Sequence, residues 1–415
     1  MTVSFPKMAR FRQRFAAETL EDVGSAVAAQ LQACDLASRV QAGQRIAITG
    51  GSRGIANISQ ITRIVVDAVR SAGGLPFVMP AMGSHGGATA EGQKEVLTSY
   101  GLGEADMGCP VEATMDVVEL GQLDDTTPIL VNRLAYEADG VIVINRVKPH
   151  TSFRGSHESG VVKMLTIGLG CHRGATMAHA QGAQGLSRLV PALGEALLAR
   201  LNVVAGIALV ENAYDRTASI TAFRAEQLLA GEPHLLAEAR TNMPSILAHN
   251  IDLLIVDEMG KNISGTGMDT NILGRMMLPG IKEPDEPGVA RILVRRLSDK
   301  THGNANGVGL ADVITRQLFD QIDFDATYAN AFTSTFLNRA YIPIIKADDR
   351  EAIAAMFEVL RIENGATARV ARIVNTLDVE HILLSETLAG NSHHPDLERV
   401  GEFDSMRFDD DNTLL

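Results

Sequence analysis

The chain has 415 residues, of which 46% are hydrophobic, and 37 Lys and Arg stand against 50 Asp and Glu, which gives a formal net charge of −13. This acidic balance disfavours a nucleic-acid-binding protein, because such a protein normally carries a basic face. No uncharged apolar run reaches the roughly 18 residues of a membrane span, so we expect no membrane partner. The three cysteines form no CxxC pair, which fits a reducing, cytoplasmic location.

The first 15 residues are basic and amphipathic but lack the apolar core of a secretory signal. We interpret them as a first helix or arm, with a transit peptide as the alternative, although acidic residues begin at Glu18. Strand-like apolar runs then follow at residues 45–49, 75–79 and 141–145. Each runs into a short turn rich in glycine or polar residues, and amphipathic helices are predicted over 59–72 and 91–99. Such alternation is typical of a parallel sheet covered on both faces.

A second series of predicted elements occupies the rest of the chain. Its strands are predicted at residues 203–209, 251–256, 291–295, 341–345 and 381–384, and its helices at 310–321 and 348–360. Punctuation around 235–245 suggests a domain boundary. The sequence therefore predicts two α/β domains with mostly parallel sheets and a cleft between them, over residues 1–240 and 241–415. The acidic tail from residue 402 is predicted to be a solvated end.

The turns after the first three strands hold the residues most suited to chemistry. The carboxyl ends of parallel strands meet at one edge of a sheet, where ligands bind in this fold class, so these turns should converge. Four of the 11 histidines fall within residues 150–179, namely His150, His157, His172 and His179, and His85 lies on a neighbouring turn. Histidine serves both proton transfer near neutral pH and metal coordination. A single histidine in a loop is nevertheless more often a plain polar residue.

Lys163 lies in a segment that is otherwise apolar or small, Ser159-Gly-Val-Val-Lys-Met-Leu-Thr-Ile-Gly168. A lysine there must reach water, find a partner or be used chemically. A partly desolvated lysine has a lowered pKa and can form a covalent bond with a carbonyl or acyl carbon. The plain alternative is an amphipathic edge with Lys163 facing solvent.

Two glycine loops can bring backbone N–H groups to an anion, at residues 50–54 and 83–87. Neither is a Walker loop or a GxGxxG fingerprint, and a tight turn explains their glycines equally well. Arg53 adds a positive charge suited to a phosphate or a substrate carboxylate. Because further cations follow at residues 146–173, we expect a small organic acid as the ligand.

These residues resemble the nickel-dependent lactate racemase family, which is built around a nickel-pincer nucleotide. The turn Ser52-Arg53-Gly54 stands where the family has Asp-His-Thr-Arg-Pro, and Gly83-Ser-His85 looks like its Gly-Thr-His-Arg-Pro turn. Pro149-His150 followed by Ser159-Gly-Val-Val-Lys163 resembles the family's Pro-His and Gly-Gly-x-Lys segment. His179 follows Lys163 at the spacing of the family's nickel-ligating histidine. In the second half, the stretch from Gly267 to Asn271 looks like the family's Pro-Leu-Asp-x-Asn stretch.

The resemblance implies a role for each matching residue. Lys163 would hold the cofactor, a Ni(II) pyridinium-3-thioamide-5-thiocarboxylic acid mononucleotide, and His179 would ligate the metal. Ser52, Arg53 and Gly54 would belong to the cofactor-binding turn, with Arg53 also orienting the substrate carboxylate. His85 and His150 would be the two acid/base residues. The implied activity is racemisation or epimerisation of a 2-hydroxy acid by proton-coupled hydride transfer to this cofactor, with the proteins that make the cofactor as partners.

The sequence also departs from the family pattern. Gly54 replaces the proline after the arginine, Gly86 replaces the arginine after His85, and three extra residues separate His150 from Lys163. His157 lies within that longer segment and is a second candidate for the acid/base role, although we favour His150. These changes leave the substrate open, since a larger 2-hydroxy acid or a sugar acid fits as well as lactate.

Two other functions stay open at this point. Lys163 can be a Schiff-base lysine of a nickel-free lyase or aldolase, or the chain can bind an organic anion without turnover. In the second half, Lys261 and Arg275 lie in and after a glycine-rich loop, and either can contact a substrate carboxylate if the loop faces the site. A solvated loop is the alternative. The sequence leaves the oligomeric state open.

Overall fold

The computed structural model describes residues 4–415. It divides into two compact units: the N-terminal unit is Ala16–Met243, and the C-terminal unit is Pro244–Leu415 together with the segment up to Phe15. Both mix helices with mostly parallel sheets, so the chain has the α/β fold that the sequence predicted. Within the described part of the chain, no helix has the length and apolar character needed to cross a bilayer.

Strands and helices are numbered along the chain. The strands are β1 (Lys7–Gln13), β2 (Arg45–Gly50), β3 (Leu75–Pro80), β4 (Val117–Asp124), β5 (Thr127–Asn132), β6 (Gly140–Arg146), β7 (Val203–Glu211), β8 (Thr217–Phe223), β9 (Ile251–Met259), β10 (Val289–Leu297), β11 (Val313–Thr315), β12 (Ile344–Lys346), β13 (Val370–Ile373), β14 (His381–Ser385), β15 (Leu397–Arg399) and β16 (Asp404–Ser405). The helices are α1 (Val23–Ala33), α2 (Leu36–Arg39), α3 (Ile58–Ser71), α4 (Ala90–Ser99), α5 (Glu104–Met107), α6 (Arg133–Glu137), α7 (Val161–Lys163), α8 (Cys171–His179), α9 (Gly182–Leu198), α10 (Ala225–Asn242), α11 (Thr270–Leu273), α12 (Arg316–Asp320), α13 (Phe324–Ser334), α14 (Asp349–Val359) and α15 (Glu386–Gly390).

The N-terminal unit is built on a sheet with the order β3-β2-β6-β7-β8. Its first four strands are parallel, and β8 returns antiparallel to β7. The parallel strands are mostly apolar along their length because helices bury both faces of the sheet. The apolar stripe of α3, which includes Ile61, Val65 and Val69, is fully buried in the core beneath it. The strands β4 and β5 form a separate hairpin.

The C-terminal unit has a larger sheet with the order β12-β11-β10-β9-β13-β14-β1-β15, and β16 also pairs with β1. Its strands from β12 to β13 are parallel, and those from β14 onward pair antiparallel. Helix α14 packs its buried Ile353, Met356 and Phe357 against this sheet. The carboxylate of Asp348 accepts a hydrogen bond from the Glu351 N–H at 2.8 Å and caps the start of α14, as its sequence predicts.

The chain differs from the sequence-based expectation at its start. Residues 7–13 form a strand and not a helix or arm, and β1 pairs with β14 in the C-terminal unit. Alternate residues of this strand are buried, which is the period of a half-buried strand, so the isolated basic residues mark its exposed face. Residues 4–15 therefore belong with the C-terminal unit and not with the first domain, to which the sequence had assigned them.

The acidic tail was also predicted incorrectly, because it is docked and not solvated. The side chain of Leu414 is 4% exposed, and its carbonyl oxygen accepts a hydrogen bond from Arg295 Nη2 at 2.7 Å. Arg295 is a buried cation that also pairs with Asp257 and Asp349, each at 2.7 Å. A buried guanidinium needs several acceptors, and the tail supplies one of them. The helix predicted over 310–321 is likewise shorter, since β11 and α12 share that segment.

Candidate active site

The carboxyl ends of β2, β3 and β6 lie at the same edge of the N-terminal sheet, as the sequence predicted from their parallel order. Gly50 pairs with Pro80, and Ile48 pairs with Ile142, so the turns that follow these strands begin side by side. The turn after β3 packs against the segment that follows Lys163, because the Gly83 N–H donates to the Gly168 carbonyl at 3.1 Å.

Lys163 lies at the junction of two helical forms. It ends the short helix α7, and the chain continues as a π-helix over Met164–Gly168 before turning into α8. Single π-helical turns occur often at functional sites. A Cβ at Gly168 would lie 2.6 Å from the Ala81 carbonyl oxygen, so only glycine allows this close packing under the turn after β3. Cys171 adopts a left-handed φ of 53° and redirects the chain into α8.

The amine of Lys163 contacts His150. Its Nζ lies 2.8 Å from His150 Nε2, and both side chains are partly buried. Burial lowers the pKa of Lys163 to about 8, and the positive charge of Arg53 acts in the same direction. At pH 7 an amine with this pKa is unprotonated in about a tenth of the molecules, about 300 times the fraction for a free lysine. The structure therefore presents a nucleophilic amine.

The hydrogen-bond pattern indicates how the proton is shared in this pair. The Ser152 N–H donates to His150 Nδ1 at 3.0 Å, so the proton of the neutral ring belongs on Nε2. Burial lowers the pKa of His150 well below its usual value, and the charge of Lys163 adds to this effect, which keeps the ring neutral. His150 then donates from Nε2 to the uncharged amine of Lys163. The pair thus favours the unprotonated form of the lysine.

His179 is the last residue of α8, and its ring faces the same charges. Burial lowers the pKa of His179 to about 4, and the charge of Lys163 contributes. Its Nδ1 lies 3.1 Å from the Ala175 carbonyl oxygen, so Nδ1 carries the proton and Nε2 keeps its lone pair. A neutral imidazole oriented by a backbone carbonyl in this way is the usual form of a metal-ligating histidine.

His85 occupies the turn after β3 and is exposed. Its Nδ1 lies 2.8 Å from the Met82 carbonyl oxygen, which places the proton of the neutral ring on Nδ1 and leaves Nε2 as the basic nitrogen. Gln93 of α4 holds the turn by donating to the carbonyls of Gly83 and His85, at 3.0 and 3.2 Å. The ring orientation therefore suits a base whose working atom is Nε2.

The turn after β2 brings a cation into the range of Lys163. Arg53 is accessible to solvent, yet the surrounding protein lowers its pKa by desolvation, and the charge of Arg146 lowers it further. The neighbouring Ser52 is held through its carbonyl, which accepts from the Tyr100 hydroxyl at 3.4 Å. Gly54 is exposed in the same turn. Lys163 therefore lies within electrostatic range of Arg53, His150 and His179.

His157 is not placed for acid/base work. Its Nε2 lies 3.0 Å from the Leu229 carbonyl oxygen of α10, and its Nδ1 lies 3.0 Å from Ser156 Oγ. Pro233 stands four residues after Leu229 inside α10 and has no N–H to donate to that carbonyl. His157 supplies the missing donor, and both of its ring nitrogens are engaged. The geometry therefore favours His150 over His157 as the acid/base residue.

Replacing His157 with Ala is expected to lower the free energy of unfolding by about 1–3 kcal/mol, because the Leu229 carbonyl loses its donor in a buried setting. Urea unfolding at pH 7 measures this change. The exposed His172→Ala on α8 is the control, and it should change the same quantity by less than about 0.5 kcal/mol. Equal effects of the two variants would contradict the assigned structural role.

The two substrate candidates of the second half lie in the C-terminal unit. The guanidinium of Arg275 is ion-paired with Asp312 at 2.6 Å and donates to the carbonyls of Leu310 and Ala290, both at 3.0 Å. These contacts give Arg275 a structural role, so its predicted contact with substrate is not supported. Lys261 Nζ donates to the Gly265 carbonyl at 2.6 Å and closes its own loop.

Sequence reasoning missed two buried carboxylates near the site. Glu158 accepts the His150 N–H at 2.7 Å, and Glu232 of α10 accepts the Val162 N–H at 3.0 Å. Both residues are 1% exposed. A signal was present for each, since Glu158 is a lone acid in a loop of small residues and Glu232 precedes a proline within a helix. Neither signal points to the partner, which for Glu232 is 70 residues away in the chain.

Stability is expected to depend on pH through Glu232. Burial raises the pKa of Glu232 from 4.5 to about 7, so the native state binds more protons than the unfolded chain between these values. The free energy of unfolding therefore falls as pH rises from about 4.5 to 7, by at most about 3 kcal/mol from this residue. Relative to the wild type, Glu232→Gln should gain stability across that window, measured by urea unfolding at several pH values. The exposed Glu226→Gln on the same helix should show no such gain.

Comparison with known proteins finds a family model that covers this site. Residues 10–186 match the sequence model of the lactate racemase N-terminal domain. The matched segment contains His85, His150, Lys163 and His179, and it ends before α10.

The fold agrees with that of a solved lactate racemase. The lactate racemase apoprotein from Thermoanaerobacterium thermosaccharolyticum superimposes with a TM-score of 0.55 at 14% sequence identity, covering 89% of this chain and 94% of that one. At this identity the likeness concerns the fold alone. No curated protein matches the chain in sequence. The resemblance to the lactate racemase family noted in the sequence is thus confirmed over residues 10–186 and in the fold.

Proposed function

We propose that the chain is a racemase or epimerase of a 2-hydroxy acid that works with a nickel-pincer nucleotide tethered to Lys163. The observation that carries this proposal is the contact between the Lys163 amine and His150, at 2.8 Å, within range of Arg53 and His179. A nucleophilic amine, a neutral histidine and a cation close to one another are the groups that such an enzyme needs.

The residues present fit this cofactor. An unprotonated amine can bond to an acyl or thioacyl carbon, and His179 presents a neutral imidazole of the kind that binds nickel. Among the described residues, no group of three or more His, Cys, Asp or Glu side chains is arranged to hold a metal. A single protein imidazole would be enough to hold the metal if the organic part of the cofactor supplied the other metal-binding atoms. When bound, the cofactor would supply a hydride acceptor.

The chain's own residues would handle protons and position the substrate. Inversion at C2 of a 2-hydroxy acid requires a proton to leave and return at the hydroxyl oxygen on either face. We assign this task to His85 Nε2 and to the ring of His150, one for each enantiomer. Arg53 would bind the carboxylate and keep it fixed while the rest of the substrate turns.

The decisive experiment combines intact mass with metal analysis. Protein co-produced with the cofactor biosynthesis proteins, which we propose as its partners in the cytoplasm, should carry a mass increment that maps to Lys163 and about one nickel per chain. The same sample should abolish the optical rotation of one member of a panel of 2-hydroxy acids and sugar acids. Protein that carries neither adduct nor nickel, although a lactate racemase produced in parallel is loaded, would contradict the proposal.

A second function is supported by the lowered pKa of Lys163. An amine with a pKa of about 8 next to a neutral histidine also suits Schiff-base chemistry, as in a nickel-free lyase or aldolase. Borohydride treatment in the presence of keto acids would trap such an adduct on Lys163. Tight binding of an organic acid with neither trapping nor racemisation would instead indicate a non-catalytic binding protein.

A further inference from the structure

Helix α10 lies beyond the matched segment, yet it contacts the loop that carries His150 and Lys163 at three places. The Leu229 carbonyl contacts His157, the carboxylate of Glu232 reaches the start of α7, and Arg240 pairs with Glu158. The loop between β6 and α8 contains little regular structure of its own. Its shape therefore depends on these partners.

Glu232 fixes the backbone just before Lys163. Its Oε2 accepts the Val162 N–H at 3.0 Å, and the Val161 N–H also bonds to the carboxylate and lowers its pKa. The N–H groups at the start of a helix such as α7 have no acceptor within the helix, and a side-chain oxygen often takes that place. A Cβ at Gly160 would lie 2.5 Å from the Glu232 carboxyl carbon, so the glycine makes room for the acid.

Glu158 fixes the backbone at His150 in the same way. Its Oε2 accepts the His150 N–H at 2.7 Å, and its Oε1 accepts the Gly155 N–H at 3.2 Å. Arg240 of α10 balances the charge, with its Nη2 2.6 Å from Glu158 Oε1. Each of the two reactive side chains is thus held by a buried carboxylate that bonds to the local backbone.

We propose that Glu232 and Glu158 are positioning residues, which hold the Lys163 amine against the His150 ring through backbone hydrogen bonds. The proposal rests on the proposed function only in taking Lys163 and His150 as the working groups. Burying a carboxylate is costly, and in the described part of the chain Glu232 Oε1 has no hydrogen-bond partner. A buried acid that only stabilised the fold would have hydrogen-bond partners for both carboxylate oxygens. A buried polar atom without a partner is energetically costly, and such costs are typical of functional sites.

The test measures the amine in the purified protein without cofactor. Acetic anhydride reacts with unprotonated amines, and peptide mass spectrometry gives the rate at Lys163 as a function of pH. The wild type should show a midpoint near pH 8. Glu232→Gln keeps an oxygen that accepts the Val162 N–H, so its midpoint should stay within about half a unit of the wild type. Glu232→Leu removes the acceptor, so its midpoint should rise and the rate at pH 7 should fall at least about tenfold.

Two controls separate positioning from folding. All rates are measured at least about 10 °C below the melting temperature of each variant, and Glu226→Leu on the exposed face of α10 should behave as the wild type. If Glu232→Leu does not fold, Glu232→Asp takes its place, because it keeps the charge but withdraws the oxygen from the Val162 N–H. Glu158→Leu tests the second acid by removing the acceptor of the His150 N–H and should raise the midpoint by at least about half a unit, whereas Glu158→Gln, which keeps an acceptor oxygen, should not.

A folded Glu232→Leu variant with the wild-type midpoint would overturn the role of Glu232. A midpoint that rises as far in Glu232→Gln as in Glu232→Leu would overturn it too. An unchanged midpoint in a folded Glu158→Leu would overturn the role of Glu158. Because the readout is the reactivity of the cofactor-free amine, these results do not depend on racemase activity. A failure of the proposed function, such as a protein that never acquires nickel, would leave the rates at Lys163 as they are.

Discussion

Lys163→Arg, co-produced with the cofactor biosynthesis proteins, is expected to lack the adduct and to lose racemisation to below about a ten-thousandth of the wild-type rate. Arginine keeps the positive charge but is protonated at every accessible pH, so it cannot attack an acyl carbon. The measurements are intact mass, nickel content and the rate of loss of optical rotation. Lys163→Arg thus removes the nucleophilic amine but keeps a positive charge at this position.

The exposed Lys94→Arg on α4 is the matched control, since it makes the same exchange outside the site. It should keep the adduct, the nickel and the activity of the wild type. A Lys163→Arg protein that still carries covalently bound nucleotide would contradict the assignment of the tether. One that binds nickel and racemises without a covalent bond would show that His179 and the surrounding contacts hold the cofactor alone.

His150→Asn is expected to reduce kcat about 100- to 10,000-fold for both enantiomers, the range that loss of a general acid/base residue usually causes. Both directions are affected because each conversion passes one proton through each histidine. Asparagine retains a hydrogen-bonding side chain of similar reach, so loading of Lys163 can be measured in the same variant by intact mass. His85→Asn should produce a similar loss.

His172→Asn is the control for this pair of variants, because His172 is exposed on α8, one residue beyond the buried Cys171. It should retain the wild-type kcat. Activity that survives in His150→Asn but disappears in His157→Asn would reverse the order in which the structure ranks these two histidines. The unfolding free energy of each variant, measured in parallel, distinguishes a lost proton carrier from a lost fold.

The parallel strands and the turns that follow them could be predicted because each part of that argument is local. The apolar runs of β2, β3 and β6 and the turns after them are contiguous in sequence, and parallel pairing then brings the turns to one edge. His150, Lys163 and Arg53 lie on that edge or next to it. Their proximity thus followed from topology alone, before any side-chain contact was known.

The remaining contacts depended on partners that local patterns do not specify. The role of His157 is set by Pro233, which is 76 residues away and creates an unpaired carbonyl in α10. Glu232 and Glu158 act through backbone N–H groups, and these carry no sequence signature. The basic residues around β1 suggested an arm because the alternating apolar and polar pattern there covers only a few residues. The segment forms a strand because it pairs with β14, which the local sequence does not reveal.

The position of β1 has a consequence for how the polypeptide matures on the ribosome. Met8 pairs with Ser385, about 380 residues further along, so β1 waits for a strand that is synthesised much later. At roughly 5–20 residues per second, this delay amounts to about 20–75 s, during which Ala16–Met243 has time to fold as an autonomous insertion. Nascent chains arrested near residue 300, where this insertion has left the ribosome, should therefore resist protease within it while remaining cleavable before it.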